Sequence, residues 1–258
     1  MIDAFYRREG ELFVSTPATT GPWSIAAQHA GPPSALLARA AEMRGVELDV
    51  PHLARLTVQI LRPVPIASLG VEVEVDTRGR SAARLSLRLR TDDHEVMRAT
   101  ALLLRSRPID VVAPEPEPAP ALEDARPFDF PFFHTPVGYH TAMECRLARG
   151  EFGHSPTFMW LRSRVPLVEG EELAGAQRAV LAADSGNGVS PVLDWTRHGF
   201  INPDLTVALH RPSEGEWIGL DARTDVSPSL GVGTAHSRIY DRRGAIGYGL
   251  QSLICDPF

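Results

Sequence analysis

An antiparallel α+β fold built from one unit used twice is what the sequence predicts, and three observations carry the prediction. A nine-residue stretch recurs far along the chain, a proline-rich segment lies between the two copies, and each copy combines alternating strand patterns with one amphipathic helix.

The recurrence pairs Arg55-Leu-Thr-Val-Gln-Ile-Leu-Arg-Pro63 with Asp204-Leu-Thr-Val-Ala-Leu-His-Arg-Pro212, an offset of 149 with five of nine positions identical. Farther on, Ala99 to Leu104 falls opposite Gly249 to Ile254 at an offset of 150, so one residue has been inserted between. The shared order of strand, Arg-Pro turn, strand, turn and strand argues for a duplicated unit.

Within the first copy, Val71, Val73 and Val75 alternate with acids, and Leu85, Leu87 and Leu89 alternate with Arg84, Ser86, Arg88 and Arg90. Period-two patterns of this kind predict half-buried strands. Gly31-Pro-Pro33 opens a predicted helix with proline in its first turn and Gly45 as its stop. In the second copy Leu173, Ala176, Val180 and Leu181 repeat at helical spacing and form one apolar face. A single helix wrapped by a long curved antiparallel sheet is the hot-dog unit, so the duplication predicts a double hot-dog. The predicted boundaries are residues 1–107 for the first unit and 137–258 for the second. Between them, 108–136 holds eight of the 22 prolines and reads as a linker.

Composition removes several function classes. With 43% apolar residues among 258, the chain supplies a substantial core. All 26 basic residues are arginine, which rules out Schiff-base chemistry and a phosphate-loop lysine. A net charge of −6 without basic runs leaves no electrostatic footprint for nucleic acid or an anionic membrane. Apolar runs are too short to cross a bilayer and the N-terminus has no signal pattern, so a soluble, cytoplasmic protein is expected. Cys145 and Cys255 lack metal-ligand spacing and are expected to be buried, reduced thiols; no metal or cofactor is implied. No Gly-x-Ser-x-Gly elbow occurs, which argues against serine-hydrolase chemistry.

Candidate chemistry emerges from the second helix and from subtracting one copy from the other. Continuing the apolar face from Leu173 reaches Asp184, a carboxylate on the side that packs against the sheet. Burying it unpaired costs several kcal/mol, so it is expected to be hydrogen-bonded or functional. The alternative is that Asp184 merely ends the helix before Ser185-Gly-Asn-Gly188, although an acid suits a helix C-terminus poorly. Residues needed only for packing belong in both copies. Asn202 stands opposite Leu53 and Gln251 opposite Ala101, so the second copy carries amides where the first is apolar. A solvent-facing glutamine is the plain reading of Gln251 until Asp184 and Asn202 join it.

These stretches resemble a known family. Asp184 with its flanks, Phe200-Ile-Asn-Pro-Asp-Leu-Thr-Val207, His210-Arg-Pro212 and Gln251-Ser-Leu look like the thioesterase II (TesB-like) acyl-CoA thioesterases, and Gln28-His-Ala-Gly-Pro-Pro33 looks like their entry to the first helix. The resemblance implies an aspartate, a threonine and a glutamine acting on a water, with no covalent intermediate, to hydrolyse a fatty or related acyl thioester of CoA or an acyl carrier. Position by position, these fall on Asp184, Asn202 and Gln251, with asparagine departing from the family's threonine. Gln28, His29 and Gly31 are the expected substrate-binding residues, with backbone amides around His29 to Gly31, near the helix start, receiving the oxyanion. Asp204 is expected to support the site or to pair with an arginine. A homodimer and a place in lipid metabolism are also implied. Two alternatives remain: a hot-dog dehydratase using His29 and Asp184, and a non-catalytic acyl-binding protein.

Overall fold

The alternating patterns become strands of one continuous antiparallel sheet in the computed structural model, which describes residues 3–257. The first half contributes β1 (Tyr6–Glu9), β2 (Leu12–Ser15), α1 (Gly31–Glu47), β3 (His52–Ile60), β4 (Ser68–Arg78), β5 (Ala82–Arg90) and β6 (Glu95–Leu104). Then come β7 (Arg126–Phe128), α2 (Tyr139–Ala142), β8 (Met143–Glu151), β9 (His154–Ser163), α3 (Gly175–Ala183) and α4 (Gly186–Val189). The chain ends with β10 (His198–Ile201), β11 (Asp204–Leu209), β12 (Trp217–Ser227), β13 (Val232–Asp241) and β14 (Gly244–Pro257).

Strand order runs β1-β2-β4-β5-β6-β3-β11-β14-β13-β12-β9-β8-β7, with β10 pairing β14 off that path. Outward from the centre, β3, β6, β5 and β4 on one side answer β11, β14, β13 and β12 on the other. The two recurring stretches meet there: β3 and β11 pair antiparallel with Thr57 opposite Thr206, the same position of the repeat in both copies. Equivalent residues face each other in an antiparallel pair only where a two-fold axis passes between them. The Thr206 hydroxyl donates to that of Thr57 at 3.3 Å across the axis. This is the double hot-dog that the sequence predicts.

Leu85, Leu87 and Leu89 of β5 are buried, each contributing about 2 kcal/mol of apolar transfer, while Val71, Val73 and Val75 of β4 pack half-buried against the same core. Helices α1 and α3 pack against each other and against the sheet. A Cβ on Gly31 would stand 2.6 Å from the Leu181 carbonyl, so glycine there permits the first turn of α1 to touch α3.

Several boundaries differ from the sequence expectation. Helix α1 passes Gly45 and ends before Asp49, whose φ of 60° is a left-handed stop, with Val50 N–H closing onto the Gly45 carbonyl at 2.9 Å. Helix α3 starts after Leu173, and Ser185-Gly-Asn-Gly188 interrupts the helical path only briefly before α4. The segment expected as linker carries β7 and is fastened to the second unit. Trp160 Nε1 donates to the Pro120 carbonyl at 3.1 Å and Ala245 N to that of Glu117 at 3.0 Å. Leu122 and Ala125 are buried with Phe158, Trp160, Trp217 and Tyr240, because the outer face of this half is apolar and needs a cover. Cys145 is buried and its thiol is pushed up to about 12 by that burial, whereas Cys255, near the end of β14, is only half-buried. No helix among the described residues is long and apolar enough to cross a membrane.

Candidate active site

Asp184 follows directly on α3, whose apolar face is held between the sheet and α1. The helical periodicity that buries Ala176 and Val180 carries Asp184 inward too, and it is 3% exposed. Both readings of this residue therefore meet: it is the C-cap of α3 and a buried carboxylate with partners. Its Oδ1 accepts from Asn202 Nδ2 at 2.9 Å, and its Oδ2 lies 3.0 Å from His29 Nδ1.

Asn202 sits in the turn between β10 and β11, and its Nδ2 also donates to the Asp204 carbonyl at 3.1 Å. Its own amide oxygen bonds no described residue. Asp204 thus supports Asn202 through its backbone, while its carboxylate meets no arginine among the described residues and accepts from Ser252 N at 2.6 Å and from the Ser252 hydroxyl at 3.3 Å.

His29 comes from the first unit, in the turn before α1. Its ring stacks on Tyr139 with centroids 3.7 Å apart and planes 4° from parallel. Tyr139 is held in turn: its hydroxyl donates to the Leu181 carbonyl at 2.9 Å and lies 3.0 Å from the Ser185 hydroxyl. Burial pushes that phenol well above its ordinary range, so it stays a donor. Gly31 N–H also reaches His29 Nδ1, at 3.1 Å. One ring nitrogen either accepts from Gly31 or, protonated, donates to Asp184.

Gln251 is buried on β14 but does not border the cavity, contrary to its expected place beside the water. Its Oε1 accepts from Asn187 N and its Nε2 donates to the Asp184 carbonyl, both at 3.0 Å, so the amide braces the turn that carries Asp184. A Cβ on Gly186 would stand 2.9 Å from that Oε1, and glycine there lets the amide approach.

The expected substrate-binding turn is likewise more committed than its sequence suggests. Gln28 borders the cavity, yet its side chain accepts from the Tyr6 hydroxyl at 2.6 Å and donates to the Pro65 carbonyl at 2.7 Å. The backbone amides of Gln28, His29 and Gly31 donate to the Val64 carbonyl, the Thr19 carbonyl and His29 Nδ1. Pro32 and Pro33 have no N–H. Within the His29 to Gly31 stretch expected to receive the oxyanion, Ala30 N–H is the donor that bonds no described residue.

Asp184, Asn202, His29 and Tyr139 border a cavity of about 420 Å³ at the seam between the units. Arg62 is the arginine at its wall, exposed and without a carboxylate partner among the described residues. Tyr139, Asn187 and the aromatic residues of the wall escaped the sequence reading, since none departs from an ordinary core or loop pattern.

Two copies of one unit with a carboxylate-bearing cavity at their seam define a double hot-dog protein. The sequence model of the acyl-CoA thioesterase N-terminal domain matches residues 19–104, and that of the C-terminal domain matches residues 110–255. The chain belongs to the acyl-CoA thioesterase family, whose chemistry is thioester hydrolysis. Among solved structures, a protein with a hot dog fold from Alicyclobacillus acidocaldarius superposes with a TM-score of 0.74 at 18% identity, over 96% of this chain and 94% of that one. The tesB protein of Mycobacterium avium subs paratuberculosis gives 0.68 at 18% identity, over 97% and 95%. An acyl-CoA thioesterase II, TesB2, from Mycobacterium marinum gives 0.64 at 14% identity, over 98% and 94%. At these identities the likeness is one of fold. No curated protein matches the sequence.

Proposed function

We propose that this chain hydrolyses acyl-CoA thioesters with a water activated at Asp184. The observation that carries the reading is a carboxylate 3% exposed at a cavity wall, with one oxygen held by Asn202 and the other by His29 across the seam. Such a carboxylate is oriented and shielded, which is what a general base requires.

Asp184 takes a proton from the water as its oxygen bonds to the thioester carbon. The Asn202 amide oxygen accepts the second water hydrogen, an asparagine serving where the family has threonine. Negative charge on the carbonyl oxygen is received by Ala30 N–H at the start of α1, where the helix dipole favours it. The carbon–sulfur bond then breaks, the proton passes from Asp184 to the departing thiolate, and a carboxylic acid and free CoA thiol result. Gln251 acts as a positioning residue through the turn it braces.

Arg62 supplies a cation for the phosphates of the CoA arm. Its counterpart in the repeat, Arg211, is tied to Asp241, whereas Arg62 has no such partner and stands at the cavity.

Contact between His29 and Asp184 favours hydrolysis over dehydration. A dehydratase needs its acid and base on separate substrate atoms, whereas here His29 Nδ1 and Asp184 Oδ2 engage each other at 3.0 Å. The deciding experiment follows free thiol released from a panel of acyl-CoAs. Asp184→Asn should lower turnover about 10²–10⁴-fold with the fold retained; wild-type turnover in that variant, or saturable binding without thiol release in the parent, would overturn the reading.

A further inference from the structure

Six aromatic side chains border the cavity, Trp23, Phe130, Phe132, Phe133, Tyr139 and Phe200, in a chain holding only ten Phe, four Trp and four Tyr. Tyr139 is engaged with His29 at the catalytic end. The other five form a connected array. Trp23 lies nearly parallel to Phe132, with centroids 6.3 Å apart and planes 10° from parallel, and presents an edge to Phe200 at 5.1 Å and 85°. Phe132 in turn meets Phe200 edge-on at 6.3 Å, Phe130 at 5.3 Å and Phe133 at 5.6 Å.

These rings come from three separate places, the turn before α1, the segment before α2, and β10, so no single element's packing accounts for their meeting. Trp23 is 37% exposed at the cavity, an indole left partly uncovered where a ligand would cover it. Among the described residues Asp184 is the sole acid in the cavity wall, so nothing there calls for a cationic acyl group.

Two properties of this wall select among acyl groups. Rings with fixed faces and edges reward a partner with its own quadrupole beyond the area buried, which a polymethylene chain does not supply. Size points the same way. At about 420 Å³ the cavity lies toward the small end of the roughly 300–1,000 Å³ that small-molecule sites span. A cavity of that size suits a compact acyl group better than a long extended chain.

We infer that the acyl group this site takes is a compact aromatic one, an arylacyl thioester, held by the Trp23, Phe132 and Phe200 rings. The inference rests on the thioesterase reading for its reaction and on the wall alone for its ligand.

Phenylacetyl-CoA and octanoyl-CoA, both with eight acyl carbons, separate ring chemistry from size, and hexadecanoyl-CoA tests length. Two ring contacts correspond to about a tenfold preference in kcat/KM for phenylacetyl over octanoyl, with hexadecanoyl poorer than either. Trp23→Leu should shrink the phenylacetyl-to-octanoyl ratio severalfold. Octanoyl-CoA equal to or better than phenylacetyl-CoA, or a ratio that Trp23→Leu leaves in place, overturns the inference. Non-hydrolysable thioether analogues of the same pair, titrated by calorimetry, give the ratio even if no thioester is turned over. Absent turnover with tighter phenylacetyl-analogue binding would sink the hydrolase reading alone, and turnover without aryl preference would sink this one alone.

Discussion

His29 Nδ1 of the first unit and Asp184 Oδ2 of the second stand 3.0 Å apart, so the carboxylate is completed across the seam of the duplication. Neither unit holds the pair alone. Tyr139 fixes the imidazole plane from one side, and Gly31 N–H competes with Asp184 for the same nitrogen. Protonation of the ring settles that competition in favour of Asp184, because a protonated Nδ1 cannot accept.

Removing the imidazole should therefore impair catalysis more than folding. His29→Ala leaves Asp184 with Asn202 as its remaining side-chain partner, and kcat should fall about 10–100-fold with KM little changed. Steady-state kinetics on one acyl-CoA checks this, and full kcat in His29→Ala would remove the residue from the reading. A 3-hydroxyacyl-CoA supplied to the parent enzyme should release thiol without the ultraviolet absorbance of an enoyl product, whose appearance would restore the dehydratase alternative.

Gln251 should act through stability and kcat together. Gln251→Leu strands Asn187 N–H and the Asp184 carbonyl, each deprived of its amide partner in the interior. A buried group left unmade costs about 1–3 kcal/mol, so urea unfolding should lose at least about 2 kcal/mol. The accompanying fall in kcat should exceed any change in KM. A stable variant with unaltered kcat would reduce Gln251 to an ordinary core amide.

How much of this is legible in the sequence depends on the kind of signal. The repeat is, because Leu56-Thr-Val58 and Leu205-Thr-Val207 keep identity where β3 and β11 pair across the axis. The burial of Asp184 is, because helical periodicity puts it on the face of Val180 whatever the tertiary context. The direction of Gln251 is not. A lone glutamine in a strand reads as solvent-facing, and its choice of the Asp184 turn depends on Gly186 and α4, which approach from elsewhere in the chain. Nor are Tyr139 and Trp23 visible as site residues, since an aromatic residue in a loop looks alike whether it meets solvent or the opposite unit. Gly31 and Gln28 are found as neighbours of the site, while their committed amides require the register of the turn with Thr19 and Val64.

Arg62 gives a test in which the carrier, not the acyl group, is varied. Arg62→Ala should raise KM for an acyl-CoA about tenfold, the worth of one charge-assisted contact. The corresponding N-acetylcysteamine thioester has no phosphate, and its kcat/KM should be altered less than twofold. Equal losses on both substrates would show that Arg62 serves the cavity's shape and not the phosphates.

Away from the cavity, Asp241 should contribute to stability in a pH-dependent way. Its carboxylate is fully buried and accepts from both terminal nitrogens of the Arg211 guanidinium and from the backbone N–H of Glu214 at 2.9 Å and of Arg243 at 2.8 Å. Burial alone would raise its pKa, but those bonds outweigh burial and hold it below the ordinary carboxylate value. A group whose pKa is depressed by folding stabilises the protein above its unfolded-state value and loses that contribution as pH falls through the folded one. Asp241→Asn leaves the Arg211 charge mostly buried without its counter-ion, so it should cost about 3 kcal/mol at pH 7. The deficit should narrow as pH is lowered below about 4, where the parent also loses the carboxylate. Urea denaturation of both proteins at pH 7 and through the acid range measures this, and a deficit independent of pH would show that shape and hydrogen bonding, not charge, are what the pair contributes.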